Sequence, residues 1–210
     1  ICQNFMNCTT LGSIGGNFMT NKKNQIQRLV IGAVLTALVV ILQLLGSFIK
    51  LGPFSISLVL VPIVLGAAMC DYKIGTWLGL VFGVIVLLSG DAAAFYSINV
   101  PGTIITVIVK GALCGLFAGI TYKALEKKNR YLAVMASAVV CPIVNTGIFL
   151  IGCSIFFLGE IATWGAAEGF NNVVGYMFLG LAGGNFIFEL LVNIVLAPVI
   201  LRVMTFNKDK

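Results

Sequence analysis

The chain has 210 residues, of which 60% are hydrophobic and only 10% are charged. Soluble domains carry roughly a quarter of charged residues, so this composition predicts a polytopic membrane protein with little length for a separate soluble domain. Histidine is absent, which removes the usual general base and the commonest metal ligand. The net charge of +6 is spread over short loops and chain ends. Positive charge in the loops and at the chain ends indicates membrane topology and not binding to nucleic acid.

Two further features limit the chemistry of the chain. The six cysteines form no C-x-x-C pair, and no G-x-x-x-x-G-K-[ST] phosphate-binding loop is present. We therefore predict neither a cofactor nor a metal site, and we do not expect the chain to be an enzyme. Any use of ATP would come from a partner subunit.

The first residues differ from the rest of the chain. Residues 1–18 contain no Lys or Arg and no long apolar run, so they do not resemble a secretory signal peptide. Met19 is a more natural start for the protein. We expect residues 1–21 to be a disordered or mis-assigned extension and residues 22–210 to form one membrane domain.

Six apolar spans follow along the membrane domain and predict an all-α bundle of six transmembrane helices. The second and third spans are short for the roughly 20 residues that a crossing needs. The spans cover about residues 29–48, 55–70, 74–89, 103–122, 131–158 and 176–204.

The loop charges support this arrangement, because they differ between the two sides. In the loops on one side of the membrane, Lys50 is the only basic residue, and Asp91, Glu160 and Glu168 are acidic. By the positive-inside rule, both ends of the chain are predicted to lie in the cytoplasm. The basic residues on the cytoplasmic side are Lys22, Lys23, Arg28, Lys73, Lys123, Lys127, Lys128, Arg130, Arg202, Lys208 and Lys210.

Small residues recur every four positions in three of the spans. Such rows let helix backbones approach closely in lipid, so we expect the glycine rows to pack helices inside the bundle. For Ala33 and Ala37 in the first span, docking to an external partner is a serious alternative. The glycine rows are Gly75, Gly79 and Gly83 in the third span, and Gly111, Gly115 and Gly119 in the fourth.

Two single charges lie within otherwise apolar spans at the same depth. Lys110 is thirteen residues before Lys123, and Glu189 is thirteen residues before Arg202, so both lie about 20 Å from the cytoplasmic boundary. Charges at that depth are costly and usually face a partner or a polar cavity. A structural ion pair would neutralise them, but a small-molecule site in the outer half of the bilayer is the leading hypothesis.

Side-chain amides share this depth. Asn145 lies fifteen residues after Arg130, about 22 Å from the same boundary, and Thr146 follows it. Asn185 precedes Glu189 by one helical turn and lies on the same face. These groups suit a polar solute, and an interhelical hydrogen bond is the alternative role for Asn145.

The external connections after the third and fifth spans are long, as is common for lids and binding loops. The first contains Asp91, Tyr96 and Asn99, and the second contains Trp164. Aromatic side chains at this boundary commonly form the interfacial belt of a membrane protein. Above a polar pocket, these four residues also predict a lid over a binding site.

The first spans carry a family pattern. The first contains the A-x-x-x-A element AVLTA between Ala33 and Ala37, and residues 51–67 have the sequence LGPFSISLVLVPIVLGA before the glycine-rich third span. With its size, six spans and cytoplasmic ends, the chain over about residues 22–205 resembles the substrate-binding S components of energy-coupling factor (ECF) transporters for vitamins.

This resemblance implies a function and partners. An S component captures a vitamin from outside the bacterial plasma membrane, and a transmembrane coupling subunit with two cytoplasmic ATPase subunits supplies the energy. The A-x-x-x-A element would dock on the coupling subunit. Pantothenate and riboflavin are the first candidate ligands, and a positive Lys110 would suit the carboxylate of pantothenate.

Two other functions are alternatives to this one. A stand-alone secondary transporter or channel could use Glu189 for proton coupling, but the sequence shows no obvious inverted repeat of broken helices. An intramembrane enzyme is disfavoured by the missing histidine and by the lack of paired acids at helical spacing. Proton-driven uptake without an ATPase partner would distinguish the transporter alternative.

Overall fold

The computed structural model describes the backbone of residues 6–47, 50–51, 54–55 and 58–206, and the side chains of residues 25–47 and 58–205. Within these residues the chain is helical, apart from turns and one antiparallel hairpin of β1 (Lys50–Leu51) and β2 (Phe54–Ser55). The helices are α1 (Met6–Gly46), α2 (Leu60–Met69), α3 (Tyr72–Ser89), α4 (Ala93–Tyr96), α5 (Val100–Leu125), α6 (Arg130–Phe156), α7 (Leu158–Ala167), α8 (Val173–Gly175) and α9 (Gly183–Phe206), with a π-helical segment (Tyr176–Leu181) before α9.

Parts of several sequence predictions lie outside the described residues. They are residues 1–5 of the N-terminal extension, residue 48 of the first span, residues 56 and 57 of the second span, residues 52, 53, 56 and 57 of the stretch 51–67, and the basic residues Lys208 and Lys210. The backbone is helical from Met6 onwards. The division of the chain between residues 21 and 22 stays a prediction.

Among the described residues, five helices are long and apolar enough to cross a membrane, which confirms the prediction of an all-α membrane protein. They are the segment Gln25–Gly46 of α1, the whole of α3, α5 and α6, and the segment Gly183–Thr205 of α9. A further apolar helix, α2, has 10 residues. It is about 15 Å long, half the thickness of the hydrocarbon core. Six crossings and cytoplasmic ends therefore stay predictions.

The last two predicted spans differ from the observed helices. α6 ends at Phe156, two residues before the predicted end of the fifth span, and α7 begins at Leu158 and continues into the region expected to be an external loop. The sixth span is predicted from residue 176, but this part forms the π-helical segment, and α9 begins only at Gly183. An apolar run shows that a segment is buried or membrane-embedded, but it does not show where one helix stops and the next begins.

The glycine rows pack α3 against α5, as the sequence predicts. A Cβ atom at Gly79 would collide with the carbonyl oxygen of Gly111, and one at Gly115 would collide with the carbonyl oxygen of Gly75. The two backbones are thus in direct contact along the rows. Because lipid is as apolar as the helix surfaces, this close van der Waals packing is what can hold the two helices together.

Two apolar clusters surround the buried polar residues. The larger joins α1, α2, α3, α5, α6 and α9, and it contains Phe82 and Val107. The smaller is rich in aromatic side chains and contains Phe95, Phe157 and Tyr176. Members of both clusters line the cavity described below, so that cavity lies at their junction.

Candidate functional site

Two small neighbouring cavities bring most of the predicted site residues together. The larger has a volume of about 60 Å³ and the smaller about 40 Å³. Lys110, Asn145, Phe149 and Asn185 lie in the walls of both. The predicted site residues that line one or both cavities are Asp91, Lys110, Asn145, Thr146, Asn185 and Glu189.

The Glu189 carboxylate is buried and is held by two side-chain amides. The residue is only 1% exposed. Nδ2 of Asn185, one turn earlier in α9, donates to Oε1 at 3.0 Å, and Nδ2 of Asn145 in α6 donates to Oε2 at 3.4 Å. One turn later, Asn193 donates to the Glu189 backbone carbonyl at 2.9 Å. The polar face of α9 therefore looks into the bundle, because lipid would leave these groups unsatisfied.

Lys110 projects from α5 toward two aromatic rings. Its Nζ lies 5.1 Å from the ring centroid of Phe149 and 5.8 Å from that of Phe82, within the range of cation–π contacts. In the described part of the chain, no salt bridge joins this ammonium to the Glu189 carboxylate. The ammonium can therefore contact a ligand anion without first losing an ion pair. The sequence does not distinguish these two rings among its 15 phenylalanines.

Two amide oxygens at the cavity have no hydrogen-bond partner among the described residues. They are Oδ1 of Asn145 and Oδ1 of Asn185, and both atoms are buried. A buried acceptor without a partner costs about 1–3 kcal/mol. A hydroxyl or amide N–H of a ligand would satisfy them. The wall therefore offers a cation, an anion and two acceptors.

A hydrogen bond absent from the sequence predictions joins α1 to the loop after α3. Nε2 of Gln43 donates to Oδ2 of Asp91 at 2.6 Å, and the Ser89 hydroxyl donates to the same oxygen at 3.1 Å. Gln43 is buried and lines the larger cavity. It is the only side-chain amide between residues 29 and 48, and that is the signal by which the sequence could reveal it.

Three predicted site residues lie outside the walls of these two cavities in the described structure. Asn99 caps α5, where its Oδ1 accepts a hydrogen bond from a backbone N–H at 3.0 Å. The Tyr96 hydroxyl donates to a backbone carbonyl of α3 at 3.3 Å. The Trp164 ring lies 5.8 Å from the ring of Phe95, which lines the larger cavity. Ligand contact by Asn99, Tyr96 and Trp164 stays a prediction.

Ala33 and Ala37 lie on the outward face of α1. Both are exposed, as are Val34 and Leu38 beside them, whereas Leu35 packs in the core. An exposed apolar face with two alanines one turn apart lets another helix approach closely. Docking of a coupling subunit on this face stays a prediction.

Comparisons with known proteins identify the family. A model of the family described as ECF transporter, substrate-specific component, matches residues 27–201, most of the chain. No curated protein and no solved structure gives a significant match. The matched region contains every residue that lines the two cavities, together with Ala33 and Ala37. The chain therefore belongs to the substrate-specific components of ECF transporters, which makes it a multi-pass membrane subunit of a transport complex.

Proposed function

We propose that this chain captures a water-soluble vitamin or a related small molecule on the outer side of a bacterial plasma membrane. One observation carries the proposal: Lys110 of α5 and Glu189 of α9, charges within two apolar helices, line one cavity together with Asn145 and Asn185. Membership of the ECF family supports a substrate-binding role for such a cavity. The captured ligand passes to a coupling subunit that is driven by two ATPase subunits.

The chemistry of the cavity wall favours a ligand that combines an anionic group with hydrogen-bond donors. The Lys110 ammonium suits a carboxylate, and the Phe82 and Phe149 rings beside it exclude water and so strengthen the attraction. Oδ1 of Asn145 and Oδ1 of Asn185 suit hydroxyl or amide donors. Pantothenate carries a carboxylate, hydroxyl groups and an amide, so it is the first candidate, and riboflavin is the second.

The size of the cavities means that the outer end must open to admit such a ligand. Their volumes of about 60 and 40 Å³ compare with roughly 300–1,000 Å³ for the sites of drug-sized ligands. Phe95 of the short helix α4 lines the larger cavity and packs against Phe157 and Trp164 at 5.1 and 5.8 Å between ring centroids. Ligand entry displaces this aromatic group, so α4 and α7 act together as a lid.

The test is equilibrium binding of radiolabelled pantothenate and riboflavin to the purified chain in detergent. Lys110→Ala, Asn145→Ala and Glu189→Gln should each weaken binding by about tenfold or more, because each removes a charge or a charge-assisted hydrogen bond. Lys128→Ala removes a lysine from the exposed loop between α5 and α6, and this control should bind normally.

An unchanged melting temperature will separate loss of the site from loss of the fold. Unchanged affinity in all three site variants would mean that the ligand binds elsewhere. The burial of Glu189 without a salt bridge also suits a proton-coupling group. Uptake driven by a proton gradient, in vesicles that contain this chain alone, would therefore favour a stand-alone transporter instead.

A further inference from the structure

A third, much larger cavity lies at the other end of the bundle, about half the length of α5 away from Lys110. Its volume is about 580 Å³, within the range of small-molecule sites. It lies between Arg28 of α1, the junction of α2 and α3 at Asp71, and the loop that joins α5 to α6. Lys123 in its wall follows Lys110 by thirteen residues of α5, or about 20 Å. This is the end that the loop charges assign to the cytoplasm.

The wall of this cavity is basic. Four cations line it against two carboxylates, and one of these, Asp71, already accepts a hydrogen bond from the Tyr72 N–H at 2.8 Å as the cap of α3. In the part of the chain that the structure describes, no salt bridge joins the cations to either carboxylate. The cations are Arg28, Lys123, Lys127 and Arg130, and the second carboxylate is Glu126.

Two of these cations are positioned by neutral groups. The Nζ of Lys123 lies 5.3 Å from the ring centroid of Tyr72, and Arg130 donates to the backbone carbonyl of Met204 at 3.4 Å. Neither contact cancels the positive charge. The cavity therefore presents positioned cations to an anion, and arginine and lysine are the side chains that bind phosphate groups.

An apolar surface adjoins the cavity along α1. Next to Arg28, the side chain of Leu29 is 72% exposed. A hydrocarbon chain can cover this surface, whereas a soluble anion cannot. A basic cavity between membrane helices beside an apolar helix face has the chemistry of a phospholipid site.

We propose that this cavity binds the phosphate-bearing headgroup of an anionic phospholipid from the inner leaflet, with an acyl chain lying along Leu29. The phosphate oxygens accept hydrogen bonds from the four cations. The bound lipid joins α1, the α2–α3 junction and the α5–α6 loop, so it stabilises the folded chain. The site is separate from the Lys110 cavity, and the proposal does not rest on vitamin binding.

The experiment adds lipids to the purified full chain in mild detergent. Bound lipid is counted by native mass spectrometry, and stability is followed by the melting temperature. Phosphatidylglycerol should bind and raise the melting temperature, because a ligand that binds only the folded state stabilises it. Phosphatidylcholine, which has no net charge, and inorganic phosphate, which has no acyl chain, should do neither at equal concentration.

Two neighbouring lysines provide a matched pair of variants. Lys127→Gln should weaken phosphatidylglycerol binding by about fivefold, the effect of one cation at an anionic membrane surface. Lys128→Gln removes the same charge one position further on, outside the cavity wall, and should change the affinity far less. Vitamin binding should be unchanged in both variants.

Several results would overturn the proposal. Equal effects of Lys127→Gln and Lys128→Gln, or equal binding of the two lipids, would show that no headgroup site exists. Equal stabilisation by inorganic phosphate would assign the cavity to a free anion. If Lys127→Gln keeps its lipid affinity but no longer co-purifies with the coupling subunit, the cavity binds an acidic protein segment instead.

Discussion

The buried Glu189 carboxylate accepts hydrogen bonds from two side-chain amides, and among the described residues no salt bridge joins it to Lys110. Amide donors stabilise an anion without cancelling its charge, because they are neutral. The side chains of Lys110 in α5 and Glu189 in α9 thus both lie at the cavity wall. At the scale of single residues, this arrangement differs from a buried ion pair, in which the two charges would satisfy each other.

The Gln43–Asp91 hydrogen bond is a second contact between single residues, and we expect it to stabilise the fold. Gln43→Ala should lower the free energy of unfolding by about 1.5–3 kcal/mol, because it removes a buried donor to a carboxylate. Thermal unfolding of the purified protein measures the change. Ser47→Ala, which removes only an exposed hydrogen bond within the same helix, is the control. Equal melting temperatures of the two variants would contradict a stabilising role for Gln43.

At the scale of elements, the backbone that lines the smaller cavity is irregular just before α9. Leu181, at the end of the π-helical segment, and Ala182 line the smaller cavity, and Asn185 follows in the first turn of α9. π-Helical turns occur often at functional sites. Irregular backbone at membrane depth is tolerated where it is buried in protein or lines a cavity. This irregular turn thus places the amide of Asn185 at the site.

The close contact between α3 and α5 predicts that a larger residue in the glycine rows will destabilise the protein. Gly79→Ala should destabilise the protein by about 1–3 kcal/mol, because the added methyl group would overlap the Gly111 carbonyl and push the two helices apart. Gly147→Ala in α6 is the matched control, since its Cβ would meet nothing within 4 Å. Melting temperatures in detergent measure both. A Gly79→Ala protein as stable as the Gly147→Ala protein would show that the glycine contact is not needed.

At the scale of the whole molecule, the two small cavities lie at one end of the bundle and the large basic cavity lies at the other, and they differ in chemistry. Lys110 lines both small cavities, Glu189 lines the larger of them, and an aromatic cluster adjoins them, whereas the third cavity is large and basic. The exposed face of α1 runs between these ends and carries Ala33 and Ala37. Different residues carry the proposed ligand capture, lipid contact and partner docking, so variants can test these proposals separately.

The docking prediction concerns Ala33 and Ala37 on the outward face of α1. Ala33→Trp and Ala37→Trp should leave ligand binding intact but abolish uptake in cells, because a bulky ring on the outward face keeps a partner helix away. Binding by the purified chain and uptake by whole cells are the two measurements. Val195→Trp, on an exposed position of α9, is the control and should transport normally. Normal uptake by both alanine variants would mean that the coupling subunit docks elsewhere.

The short helix α2 decides the topology of the chain. If it crosses the membrane with its flanking residues, both chain ends lie in the cytoplasm; five crossings would put them on opposite sides. We expect fluorescent-protein fusions to both ends to fluoresce in the cytoplasm. An alkaline phosphatase fusion after Gly169 should be active outside. A phosphatase that is active at one chain end would contradict the six-crossing topology.

The sequence by itself determined the class of protein, the depth of Lys110 and Glu189, and the glycine rows of α3 and α5. These follow from composition and from the fixed rise and pitch of a helix, which are local properties. Only the tertiary structure decided that Lys110, Glu189, Asn145 and Asn185 share a cavity, that Gln43 reaches Asp91, and that the Phe82 and Phe149 rings flank the ammonium. Spacing along a helix gives the depth of a side chain, but its direction depends on how that helix is rotated against its neighbours, and packing with residues distant in the chain sets that rotation.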